Sequence, residues 1–113
     1  NFNFRWAILK NMDFSFCNLE GAIFEGAKLT NCNFSATRLR NSNFAKVNGI
    51  QCDFSEANLQ SSFLRWMTFE NSTFIRTDFS RSLLTSTDFS SSVIRDNIFD
   101  NAELSTVIFP NEE

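Results

Sequence analysis

From Phe4 onward, every fifth residue of this chain is large and apolar, and the frame holds to the last repeat. Steps of five give Phe4, Leu9, Phe14, Leu19, Phe24, Leu29, Phe34, Leu39, Phe44, Gly49, Phe54, Leu59, Leu64, Phe69, Phe74, Phe79, Leu84, Phe89, Ile94, Phe99, Leu104 and Phe109. Of these 22 positions, 21 are Phe, Leu or Ile, and Gly49 is the exception. A period of five fits neither the helical repeat of about 3.6 residues nor the two-residue alternation of a strand. The backbone must therefore turn at regular intervals, and self-similarity at a fixed period marks a stack of repeats.

The neighbouring positions show how the turn is made. Two residues before each large one the side chain is small or compact, as in Ala7, Ala22, Ala27, Thr37, Ser42, Cys52, Ala57, Ser72 and Thr87; Phe2, Met12, Met67 and Asn97 depart from this. One small and one large inward position, separated by one outward residue, describe a short extended piece followed by a corner. The outward residue is often Asp or Asn, as in Asp13, Asn33, Asp53, Asn58, Asp78 and Asp88. Ser, Thr, Asn, Gly or charged residues mostly follow the large one, which suits a tight, wet turn.

Segments such as Cys52-Asp53-Phe54, Ala57-Asn58-Leu59, Thr77-Asp78-Phe79 and Thr87-Asp88-Phe89 carry a specific likeness. The pattern resembles the pentapeptide-repeat family, whose motif is a small residue, Asp or Asn, Leu or Phe, and two variable residues. The match runs over residues 2 to 109, and its Phe-rich character is closer to the quinolone-resistance type than to the Leu-rich type. The resemblance implies an all-β fold: a right-handed quadrilateral parallel β-helix with four pentapeptides per coil, here between five and six coils in one domain, residues 1–113. Residues 20 apart then stack in columns, and Phe and Leu alternate from face to face in the early coils. Gly49 leaves one gap in this register, and a local bulge that swings Ile50 inward is the expectation there.

Charge and chemistry narrow the function. The net charge is −3, with six basic and three acidic residues in 1–50 against four basic and ten acidic in 51–113. That asymmetry points to charged partners or head-to-tail association. The chain has no His and no Tyr, which removes the commonest general base and a frequent acid. Cys17, Cys32 and Cys52 all hold the small inward position, so they are expected as buried, reduced thiols in a cytoplasmic setting. No C-x-x-C pair suits zinc, and Asp at the outward position is expected to stabilise its own turn. No catalytic residue, cofactor or metal is expected.

Function is then sought on the surface. The position before each large residue points outward, yet Ile8, Ile23, Phe63, Leu83, Val93, Ile98 and Ile108 are apolar. Phe63, Trp66, Leu83, Val93, Ile98 and Ile108 are the candidate protein-interaction residues, four of them forming an apolar sleeve at the C-terminal coils. Phe63 and Leu83 should be column neighbours, with Trp66 one coil above Lys46. The first reading is a non-catalytic protein-binding solenoid, a scaffold or rigid module, and a homodimer through the C-terminal coil is one arrangement of it. The resemblance implies a second: a DNA mimic that binds type II topoisomerases, DNA gyrase or topoisomerase IV, and protects them from quinolone antibiotics in bacteria. A third is the recognition module of a secreted effector. Direct contact with nucleic acid or membrane is not expected. Because the chain opens at Asn1 inside a repeat, it is expected to be a piece of a longer protein.

Overall fold

A computed structural model describes residues 2–111, a rod of 36 × 25 × 22 Å. Five strands form one parallel sheet in chain order: β1 (Ile8–Lys10), β2 (Lys28–Thr30), β3 (Asn48–Ile50), β4 (Thr68–Ile75) and β5 (Asp88–Arg95). Successive strands pair with a 20-residue offset, Leu9 with Leu29, Leu29 with Gly49 and Gly49 with Phe69. The other three sides pair through one residue per coil, except that β4 and β5 turn the corner onto the third side and pair Thr73 with Val93, Phe74 with Ile94 and Ile75 with Arg95. On what we call the first face the outward column is Asn3, Ile23, Asn43, Phe63, Leu83 and Glu103. Ile8, Lys28, Asn48, Thr68, Asp88 and Ile108 mark the second face, Asp13, Asn33, Asp53, Thr73 and Val93 the third, and Asn18, Arg38, Asn58, Asp78 and Ile98 the fourth. This is the quadrilateral parallel β-helix that the family resemblance implies.

The corners explain how an unbroken chain turns after so few residues. The second residue after each large one takes a left-handed conformation at eighteen non-glycine positions, from Trp6 to Thr106, and at Gly21 and Gly26. At most corners the amide three residues on donates back to the carbonyl of the large residue, as from Ala7 to Phe4 at 3.0 Å and from Ala57 to Phe54 at 3.1 Å. Positive φ at the third residue of such a turn defines type II. Asn, the residue that tolerates this region best after Gly, holds it at Asn11, Asn31, Asn41, Asn71 and Asn101. Between Trp6 and Thr106 Ser91 alone departs from the pattern, and the ladder between β4 and β5 slips there, pairing Glu70 with Ser91.

Inside, rings stack along columns and meet edge to face across the core. Phe34 lies 4.7 Å from Phe54 in its own column, and Phe44 lies 5.7 Å from Phe54 at 76° across the square. Opposite faces are ten residues apart, so alternating Phe and Leu around the coil sets Phe against Phe and Leu against Leu. For the Phe rings, both the stacked and the edge-to-face contacts are favourable quadrupole geometries. Buried hydroxyls are satisfied by the coil before: Thr37 Oγ1 donates to Phe14 O at 2.8 Å, Thr77 Oγ1 to Phe54 O at 2.8 Å and Ser62 Oγ to Leu39 O at 3.1 Å.

Two expectations are corrected here. Gly49 does not bulge: β3 keeps its register, Ile50 stays outward, and the Phe69 ring of the next coil fills the gap. A Cβ on Gly49 would sit 2.3 Å from Phe69 Cε1, so the glycine makes room for a neighbour rather than missing a side chain. Cys32 and Cys52 are buried as expected, but Cys17 is exposed. It belongs to the first coil, which has no coil beneath it to cover the inward position.

Candidate interaction surface

The outward carboxylates and amides are spent on local structure. Asp13 Oδ1 accepts from Ser15 N at 2.9 Å, Asp53 from Ser55 N at 2.9 Å, Asp78 from Ser80 N at 3.0 Å and Asp88 from Ser90 N at 2.8 Å. The side-chain and backbone hydrogen bonds from Ser15 hold the Asp13 carboxyl below its ordinary range, and Ser90 does the same for Asp88. For Asp78, partial burial raises the carboxyl, but hydrogen bonds from Ser80 and Gln60, with Arg81 nearby, leave it lowered. Each stands as an Asx turn at a coil corner. No group of three or more His, Cys, Asp or Glu residues among those described converges as a metal site would need.

Cys32 and Cys52 stack in adjacent coils, and the Cys52 thiol is pushed up by donating to Cys32 and by burial. Their sulfurs also lie near carbonyls, 3.5 Å from Leu9 O and from Leu29 O respectively. Both are closed off by the core.

The six apolar candidates separate into two sets. Phe63 and Leu83 pair directly in the first-face column, with Phe63 52% exposed and Leu83 half-buried. Trp66, 51% exposed, stands on the corner beside them with the Lys46 ammonium 5.8 Å from its ring centroid. The main chain beneath is occupied: Phe63 N donates to Ser42 O at 3.0 Å, Leu83 N to Ser62 O at 3.0 Å, and Phe63 O accepts from Phe44 N at 2.7 Å. Only side chains are left to recognise anything there. Val93, Ile98 and Ile108 are exposed too, but on the third, fourth and second faces. The C-terminal sleeve thus encircles the rod with one residue per face and makes no single patch. Beside it, a cleft of about 360 Å³ is lined by Ser92, Val93, Ile94, Phe99, Phe109, Pro110 and Asn111, where the last coil leaves the core uncovered.

Sequence reasoning missed two groups. At the N-terminal end Phe2, Trp6, Met12 and Phe16 are exposed, Phe16 by 81%, because the first coil has a neighbour on one side only. Around Phe63 lies a set of basic side chains, Arg40, Lys46, Arg65 and Arg81, scattered in the sequence and gathered by the 20-residue step. Counting charges modulo 20, instead of by halves of the chain, exposes them.

Comparison with known proteins agrees with this architecture. A family model described as "Pentapeptide repeat region" matches residues 22–99, and one described as "Pentapeptide repeats (8 copies)" matches residues 3–35. No curated protein matches the chain. A pentapeptide repeat protein from the Arabidopsis thaliana thylakoid lumen superimposes with a TM-score of 0.70 at 17% identity, covering 97% of this chain and 72% of that one. A pentapeptide repeat protein from the cyanobacterium Cyanothece 51142 gives a TM-score of 0.54 at 11% identity, covering 96% and 88%. Full-length QnrB1, a plasmid-mediated fluoroquinolone resistance protein, gives 0.49 at 18% identity, covering 92% and 63%. With its left-handed corners, its four inward columns and a family match over 78 of 113 residues (22 to 99), the chain belongs to the pentapeptide-repeat family.

Proposed function

We propose that this protein is a rigid, non-catalytic solenoid that binds another protein through its first face. One observation carries the reading: Phe63 and Leu83 are column neighbours and Trp66 stands on the adjoining corner, so three large apolar side chains are offered on a surface whose main chain is already paired. Exposed aromatics held on a stiff support make anchors, because little side-chain entropy is lost when a partner covers them.

A topoisomerase-binding DNA mimic would ask for another surface, one with carboxylates ranked along the rod like phosphates. Here the carboxylates are divided among the four faces, and Asp13, Asp53, Asp78 and Asp88 are turned back onto their own corners. The charge layout therefore supports protein binding through apolar anchors.

The test is capture from an extract of the source cells with the parent protein, with Phe63→Glu/Leu83→Glu, and with Ile8→Glu on the second face. A protein retained by the parent and by Ile8→Glu but lost with the double variant is the expected result. Equal capture by all three refutes the assignment of the first face. In a supercoiling assay with purified DNA gyrase, no inhibition is expected at micromolar protein; inhibition would turn the reading to mimicry.

A further inference from the structure

The first face and its two flanking corners comprise, in three consecutive coils, residues 40–46, 60–66 and 80–86. Their sequences, RNSNFAK, QSSFLRW and SRSLLTS, contain Arg40, Lys46, Arg65 and Arg81 and no Asp or Glu at all. Four cations and no carboxylate give this patch a charge of +4 on a chain whose net charge is −3. In the coils on either side the same face turns acidic, with Glu20 and Glu25 on one side and Asp100 and Glu103 on the other.

The four cations also lack contact ion pairs. Ion pairs among the described residues join Arg5 to Glu25, Arg38 to Glu20 and Arg76 to Glu56, and none involves the four. Arg81 Nη2 donates to the Gln60 amide oxygen at 3.1 Å, and Lys46 sits over the Trp66 ring. Arg65 Nε is buried without an acceptor, leaving the outer part of its guanidinium to seek one. Arg81 and Arg65 are partly countered by the Asp78 and Glu103 carboxyls, which they help to hold low, yet four cations against these two flanking carboxylates leave an excess of positive charge that a bound anion relieves.

We infer that the partner of the first face is an acidic protein segment with apolar side chains, seated on Phe63 and Leu83 and ringed by Arg40, Lys46, Arg65 and Arg81. This rests on the protein-binding reading and adds the chemistry of the partner. A nucleic acid fits less well on two counts. Lys46 covers the Trp66 ring on which a base would stack, and the basic stretch spans only three coils, roughly 10–15 Å, before carboxylates begin. A short carboxylate-rich segment matches both the length and the apolar centre, and charge complementarity of this kind favours one partner over others.

The probe is a fluorescein-labelled ten-residue peptide in which Glu alternates with Leu, its binding followed by fluorescence anisotropy. Parent protein should bind it, and affinity should fall as salt rises from about 0.05 to about 0.5 M, where screening shortens to a few ångströms. Arg40→Glu/Lys46→Glu and Arg65→Glu/Arg81→Glu should each weaken binding by roughly tenfold or more. Because Arg65 is partly buried, the first pair, fully on the surface, decides the matter if the second disturbs folding. The same peptide with Lys in place of Glu should not bind. Unchanged affinity on charge reversal, no binding of the acidic peptide, or tighter binding of a single-stranded DNA of equal charge overturns the inference. If the peptide fails while Phe63→Glu/Leu83→Glu still strips a captured protein, the protein-binding reading stands and only the acidic partner falls; if both fail, both fall.

Discussion

Filling the gap at Gly49 offers the sharpest test of the packing. The five-residue pattern favours Leu at this position, so a substitution toward the pattern would be expected to stabilise the coil. The structure reverses the sign. Even one methyl group, in Gly49→Ala, would place Cβ 2.3 Å from Phe69 Cε1 and 2.4 Å from Cδ1. The ring has nowhere to go: Phe69 is 1% exposed and wedged edge-on between Phe54 at 5.3 Å and Phe74 at 5.1 Å. Overpacking of this sort costs about 1–3 kcal/mol. Against it, Ala loses less backbone freedom than Gly on folding, and Gly49 is outside the left-handed region, so about 0.5–1 kcal/mol returns. With the approach at 2.3 Å and the ring held on both sides, the clash falls in the upper half of its range, so the net loss is about 1–2.5 kcal/mol, or roughly 4–10 °C in Tm at this chain length. Thermal and urea unfolding followed by circular dichroism would measure it, beside Phe69→Leu and the double variant. In the double variant the smaller side chain should recover most of the loss, giving a coupling energy above about 0.5 kcal/mol. A Gly49→Ala protein as stable as the parent, with no coupling to residue 69, would refute the account.

Other expectations follow from the same interior. Phe54→Ala should cost about 3–5 kcal/mol in urea unfolding, since its ring stacks in its own column and meets others edge-on across the core. Ser62→Ala should cost about 0.5–1.5 kcal/mol, because it removes the hydroxyl that accepts from Ser42 N at 3.1 Å and donates to Leu39 O at 3.1 Å, while those two groups keep their own turn hydrogen bond at 3.2 Å. Under native conditions a thiol reagent should label Cys17 at once and Cys32 and Cys52 only on unfolding; three fast thiols would contradict the burial. The lowered carboxyls of Asp13, Asp78 and Asp88 contribute stability that is complete above the unfolded value near 3.8 and is lost as pH falls through their lower folded values. Tm should accordingly drop below about pH 4, and Asp78→Asn should flatten that drop.

The period of five made the fold legible because it assigns each side chain to the inside or the outside before any contact is known. Phe63 over Leu83, and Lys46 beside Trp66, followed from the 20-residue step alone. Gly49 was misread because a column pattern says which residue points inward and nothing about whether a ring from the next coil claims the same space. At that level the Phe column passes from the first face, where Phe44 is followed by Leu64, to the second, where Gly49 is followed by Phe69. Cys17 was misread because the pattern treats all coils alike, whereas the first has no lower neighbour. The basic surface escaped because charge was weighed along the chain, while the coil sums it across residues that sequence holds 20 apart.

The uniform 20-residue ladder also bears on how the molecule comes together. Almost every backbone hydrogen bond between coils joins residues 19 or 21 apart, from Phe4 N to Ile23 O at one end to Ile108 N to Thr87 O at the other. Each added coil thus closes a loop of the same length, and no step waits for distant ends to meet. A separation of 20 in 113 residues is a ratio of roughly 0.18, in the range of slow all-β folders, yet here the loop-closing cost is met one coil at a time. Assembly can start from any central pair of coils and grow toward both ends. The terminal coils, with their exposed Phe2, Phe16 and Phe109, are then the last to dock and the first to exchange their amides with water.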